Sequence, residues 1–224
     1  MKKQILSEED NKRIAEAVSK AESKTSGEIV TAIIRESSDY AFHELLAAMF
    51  GGFIFYTVSL LSYGSIANFL ERTFWSYKES WPALFIGIGT ILFMGILYLL
   101  ANVEGVDRLI VPASTISMKV KRRALLFFSE AGLFDTRDRT GILIFISLRE
   151  KRVELLADKG INDKVDTGAW GDIVDELVGN IKHGKMVDGL VKAVESCGDR
   201  LIEHFPIKPD DENELSDQVH ILED

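Results

Sequence analysis

Two long apolar runs interrupt a chain whose remaining segments mix short hydrophobic and charged stretches. From Leu45 to Leu70 no residue is charged, and from Ser80 to Val103 again none is. A bilayer core is crossed by about 20 apolar residues. The pattern therefore predicts a two-helix transmembrane hairpin within residues 41–104, with spans at 45–65 and 81–102. Helices apolar on every face belong in lipid rather than in a small soluble core. Trp75, Trp81, Tyr63, Tyr77 and Tyr98 lie near the predicted ends, where interfacial aromatics concentrate. Ala47-x3-Gly51, Ala48-x3-Gly52 and Ala83-x3-Gly87 offer small-residue faces for close helix approach. Neither predicted span contains an ionisable residue, so the hairpin reads as an anchor rather than an ion or proton path.

The flanks carry the periodicities of an α/β protein. Ser7 and Asp10 have the form of a capping box, followed by Ile14, Val18 and Ala21 at helical spacing and a stop at Gly27. Residues 28–35 are short and β-branched, which predicts a strand. After the hairpin, Pro112 to Ala131 reads as a helix with Ile116, Val120, Ala124, Phe127 and Phe128 on its apolar stripe. Residues 141–148 form a continuous apolar strand that needs cover on both faces, and 153–157 returns as a second. Helices follow at Trp170 to Lys182 and Met186 to His204, and Pro206 and Pro209 close the domain. These elements predict one three-layer α/β domain with a short mixed sheet, built from residues 1–40 and 105–206 and interrupted by the hairpin. The acidic residues 207–224 read as a mobile tail.

Charge adds an orientation. The net charge of −9 argues against nucleic acid as a partner, since phosphate binding needs concentrated Lys and Arg. Lys2, Lys3, Lys12 and Arg13 precede the hairpin, and Arg108, Lys119, Lys121, Arg122 and Arg123 follow it. In the connection, Arg72 and Lys78 are balanced by Glu71 and Glu79. Basic flanks favour the cytoplasm, so both termini are expected there, in an integral protein of a bacterial inner membrane. The later basic cluster suits anionic lipid headgroups or a solvated face. The N-terminus turns acidic where a signal peptide would be apolar, so no cleavable leader is expected. One cysteine, Cys197, excludes an internal disulfide and a thiolate metal cage.

Several short motifs occur in the order of a known family. They are Leu6-Ser7-Glu8-Glu9 opening a helix, the strand 28–35, and Phe128-x3-Gly132-Leu133. Thr140-Gly141-Ile142-Leu143-Ile144, Asp158-Lys159-Gly160-Ile161 and the run from Gly184 to Val194 complete the set. Together they resemble the TPM domain over residues 6–36 and 108–205. That family includes a thylakoid lumen protein proposed as an acid phosphatase, a photosystem II repair factor and a receptor modulator. The resemblance implies the fold, and with it a divalent-cation site and a phosphatase-like activity. Many members have Asp-Asn-Gly before the central strand; here Arg139-Thr140-Gly141 stands there, a cation in place of the carboxylate. Leu156 and Asp158 stand where members have Glu and the first Gly of Gly-x-Gly.

No catalytic constellation is legible, and no cofactor-binding motif. His43, His183, His204 and His220 lack ligand spacing. The densest polar cluster is Asp135-Thr136-Arg137-Asp138-Arg139-Thr140, at the mouth of the central strand, with Asp158, Asn162 and Asp163 after the neighbouring strand. Asp135, Asp138 and Asp158 are the candidate oxygen donors for a cation such as Ca²⁺; local pairing with Arg137 and Arg139 is the simpler account. Two functions follow. One is a binding, assembly or regulatory module tethered to the bilayer and holding a membrane or cytoplasmic protein. The other is a divalent-metal-dependent phosphatase-like hydrolase. Arg139 in the place of a carboxylate favours the first over an enzyme.

Overall fold

The computed structural model describes residues 5–103, 106, 110–165 and 168–223. Lys2, Lys3, Arg108 and the tail's last residue, Asp224, lie outside the described residues. The chain separates into two compact units, one of residues up to Ser38 together with those from Ile116, the other Asp39–Thr115.

The first unit begins with α1, Glu8–Glu22, on the predicted capping box. The Ser7 hydroxyl accepts the Asp10 N–H at 3.1 Å, and the Asp10 carboxylate accepts the Ser7 N–H at 3.3 Å. Both bonds use N–H groups that a helix start leaves orphaned. Strand β1, Glu28–Ile34, runs parallel to β2, Gly141–Ser147, in a register that sets Glu28 opposite Gly141 and Ile34 opposite Ser147. Strand β3, Arg152–Ala157, returns antiparallel to β2. Every residue of β1 and β2 is buried, as befits central strands without polar alternation.

The two faces of this sheet are covered separately. Ile29, Ile33, Ile142, Ile144 and Ile146 join the core made with α1 and with two later helices, Ala169–Lys182 and Met186–His204. On the other face lies the helix Ala113–Glu130, with Ile116, Val120, Ala124, Phe127 and Phe128 buried. The domain is thus a three-layer α/β fold with a mixed sheet, as the apolar patterning predicts. In chain order the helices after the hairpin are α5, Ala113–Glu130; α6, the single turn Lys159–Asn162; α7, Ala169–Lys182; and α8, Met186–His204.

The C-terminal segment departs from its expectation as a mobile tail. His220–Leu222 forms β4, parallel to β1 with Ala32 opposite His220, so the strand order is β3-β2-β1-β4. The reason is physical: β1 offers a row of unpaired N–H and C=O groups at that edge. Val219 is buried beside it, and the His220 ring packs on Phe127 with centroids 5.3 Å apart. A three-residue strand among acidic residues leaves no periodic signal.

The second unit holds α2, Ala41–Leu61; α3, Tyr63–Thr73; and α4, Trp81–Ala101. Helices α2 and α4 are each long and apolar enough to cross a membrane. They pack closely at Gly51 and Gly52, where an added Cβ would fall 2.4 Å from Leu97 and 2.2 Å from Met94. Gly87, by contrast, meets nothing within 4 Å, so Ala83-x3-Gly87 is not a contact face. The first apolar run resolves into two helices, because the chain breaks at Ser62 where no charge marks the break. Helix α2 starts at Ala41, ahead of the predicted span at 45–65, and so includes His43 and Glu44. Glu44 lies in its first turn, where the helix dipole favours a carboxylate.

Candidate functional site

Parallel strands β1 and β2 begin, and antiparallel β3 ends, at the same end of the sheet. There the loop before β2 meets α6 and the segment after α8. Thr140 ties loop to strand: its carbonyl accepts the Glu28 N–H at 3.2 Å, and its hydroxyl donates to the Ser26 carbonyl at 2.9 Å.

Asp158, buried at the end of β3, is committed to Arg139. Its two oxygens accept the guanidinium at 2.6 Å and 3.0 Å, a bidentate pair with planar geometry suited to a carboxylate. The same carboxylate accepts the Lys159 N–H at 2.6 Å and so opens α6. Arg139 holds a positive φ of 57°, and its guanidinium lies 5.4 Å from the centroid of the Phe134 ring. Its pairing with Asp158 raises its already high pKa. Gly160 completes the joint. A Cβ there would fall 2.6 Å from the Arg139 carbonyl oxygen and 2.7 Å from that of Asp138. Only glycine allows so close a backbone approach.

The other candidate donors are placed differently. Asp138 accepts Lys208 Nζ at 2.5 Å, and that hydrogen bond holds its carboxyl below the usual range. Asp135 is exposed, near enough to act electrostatically on Arg139. Asn162 turns its amide to the Ala157 carbonyl at 2.6 Å. Arg137 lies 3.2 Å from the Asp210 carboxylate, while its backbone N–H donates to Glu214. Asp138 and Asp158 thus share one joint, each with its own cation.

Sequence reasoning missed Lys208, Glu22 and Glu28. Lys208, between Pro206 and Pro209, and Glu22, in the last turn of α1, carry no local signal. Glu28 gave one signal, a charge opening an otherwise apolar strand. Burial raises the carboxyl pKa of both glutamates. Cys197 is fully buried, and burial pushes its thiol up to about 12, which leaves it inert. In the second unit an apolar groove of 320 Å³, lined by Ala47, Ala48, Leu97 and Leu100 among others, offers no titratable group.

A family model described as the TPM domain matches residues 97–200. This chain carries a TPM domain. No curated protein matches the chain. The NMR structure of the BA42 protein from the psychrophilic bacterium Bizionia argentinensis sp. nov. is similar, with a TM-score of 0.59 and 20% identity over 99% of each chain. At that identity the likeness speaks for the fold.

The residues of this TPM domain do not fit the divalent cation that the resemblance implies. Hard cations need several carboxylate or carbonyl oxygens converging on one point. Here Arg139 spans both oxygens of Asp158, and Lys208 occupies Asp138. Among the described residues, no group of three or more His, Cys, Asp or Glu is arranged to hold a metal.

Proposed function

We propose that this chain is a membrane-anchored TPM domain that binds or assembles a protein partner at the cytoplasmic face of the bilayer, without metal-dependent hydrolysis. The observation that carries this reading is the bidentate Arg139–Asp158 pair at the place where the family resemblance implies a cation. A guanidinium there supplies neither a Lewis acid nor an activated water; it supplies a rigid, paired surface.

The apolar lengths of α2 and α4 support the anchor. Helix α5 supports contact with anionic lipid as well. Its inner face is buried, while Met118, Leu125 and Leu126 are exposed beside Lys121 and Arg122. Exposed apolar residues interleaved with cations suit a headgroup surface, at about 1 kcal/mol per basic residue. The basic residues flanking the hairpin support a cytoplasmic location for both termini.

A phosphatase assay separates this function from the hydrolase. The detergent-purified full chain should hydrolyse p-nitrophenyl phosphate no faster than buffer, with or without Ca²⁺ or Mg²⁺. Divalent-dependent turnover that is lost in Asp158→Asn would establish the hydrolase instead.

A further inference from the structure

The sheet ends differently on its two sides. Beside β1 the short strand β4 completes the ladder, whereas β3 closes the strand order with no further strand among the described residues. The joint at Asp158 fixes which backbone groups of β3 face outward. In the register that continues from Ile142 opposite Ala157, the Asp158 N–H donates to the opposing Gly141 carbonyl at 2.9 Å. Hydrogen-bonded pairs alternate along an antiparallel ladder. Arg152, Glu154 and Leu156 therefore turn their backbone groups to β2, and Val153, Leu155 and Ala157 turn theirs to the outer edge. The Ala157 carbonyl accepts the Asn162 amide at 2.6 Å. Among the described residues, no donor or acceptor meets the outward groups of Val153 and Leu155.

Such an edge is a template for another strand. Strand β3 holds no proline or glycine and keeps an unbroken register with β2. Val153 and Leu155 pack on the core that includes Ile142 and Ile144, so Glu154 lies on the opposite face of the sheet, toward α5. The charged groups acting on Glu154 are exposed Lys121 on α5 and Arg152 on β3 itself. One carboxylate thus has two cations beside it.

We propose that β3 is a dimerisation edge, pairing antiparallel with β3 of a second copy of this chain about a two-fold axis at Glu154. Val153 then stands opposite the second copy's Leu155, and each such pair exchanges both its hydrogen bonds. This register uses every free N–H and C=O of both residues. A shift by two residues loses bonds in either direction. One way, Val153 meets itself and the pairing runs into the turn at Lys151, whose φ is 51°. The other way, Val153 meets Ala157, whose carbonyl is already taken. On the axis the two Glu154 side chains face each other, an arrangement that alone would repel. Each copy brings its Lys121 and Arg152 to the same place, so cations outnumber the carboxylates and the edge is complementary to itself. A two-fold pair also closes on itself and leaves no open β3 edge. This pairing uses neither the apolar helices nor the Arg139 joint, so it stands or falls apart from the function proposed above.

A paired-cysteine trap reads the register in the detergent-solubilised full chain. Arg152 stands opposite the second copy's Leu156, in a non-hydrogen-bonded pair close enough for a disulfide. The double variant Arg152→Cys/Leu156→Cys, in which Lys121 still balances Glu154, should run as a disulfide-linked dimer after oxidation. Either single variant should stay monomeric on the same gel, because like positions are offset along the two strands. Within one copy the two thiols lie about 13 Å apart along the strand, too far to bridge. Cys197 is buried and does not compete. Light scattering should give the unmodified chain twice the polypeptide mass of one copy, and Leu155→Pro should halve it. Proline is tolerated at an edge position whose N–H faces outward, so that variant should keep its far-UV circular dichroism; should it unfold, the cysteine trap decides alone. A monomeric unmodified chain would overturn the proposal. So would a double variant that cross-links no better than the singles, or a dimer that folded Leu155→Pro leaves intact.

Discussion

Phe145→Ala should destabilise the TPM domain by about 3–5 kcal/mol, the largest loss expected from a single substitution here. Phe145 lies in the middle of β2 and is wholly buried. By the alternation of β2 it points away from the face of Ile142, Ile144 and Ile146. Its ring therefore fills the layer between the sheet and α5. Truncation removes apolar burial and leaves a cavity, and a sheet pinned in register by β1 and β3 cannot collapse into it. Domain stabilities are commonly about 5–15 kcal/mol, so the loss takes a large share of the total. Thermal melting of the detergent-solubilised chain should show a fall of about 10 °C or more. A fall of only a degree or two would mean that α5 does not close that face.

Gly160→Ala should cost about 3 kcal/mol through a different mechanism. The methyl group would collide with two backbone carbonyls, those of Asp138 and Arg139, which have no rotamer by which to yield. The chain must open the joint between α6 and the loop. That breaks the Gly160 N–H bond to the Arg139 carbonyl, now 3.1 Å, and pulls the guanidinium from Asp158. Melting should fall by about 6–12 °C for a domain of this size. Gly171, whose added Cβ would meet nothing within 4 Å, is the matched control, and Gly171→Ala should leave the melt nearly unchanged. Equal melts for the two variants would contradict the close approach.

Most of the framework was readable because its signals are local. The uninterrupted apolar run from Ile142 to Ile146 could only be a covered strand, and Ser7 with Asp10 announced the start of α1. The helix Met186–His204 follows from its apolar spacing to the residue. What escaped depends on tertiary context. The break at Ser62 carries no charge, proline or glycine. Strand β4 exists only because β1 leaves an edge open. Glu22 is indistinguishable in sequence from any solvated glutamate in a last helical turn, and the burial of its carboxyl is a tertiary effect. At the candidate site the residue types were legible, including the pairing of local acids with Arg139. The partner of Asp138, Lys208, was not, because nothing local ties residue 138 to residue 208.

Calcium calorimetry on the full chain in detergent decides whether the Arg139 guanidinium stands in for a metal ion beside Asp158. Arg139 holds a positive φ, which aspartate tolerates better than most side chains, so Arg139→Asp can occupy the same backbone. That change removes the cation and adds a carboxylate beside Asp158. Affinity for Ca²⁺ rises with the number of charged oxygens, so binding should strengthen by about tenfold or more. The unmodified chain should give no binding heat at micromolar Ca²⁺. Micromolar affinity in the unmodified chain, abolished by Asp138→Ala, would contradict the account and return the site to metal chemistry.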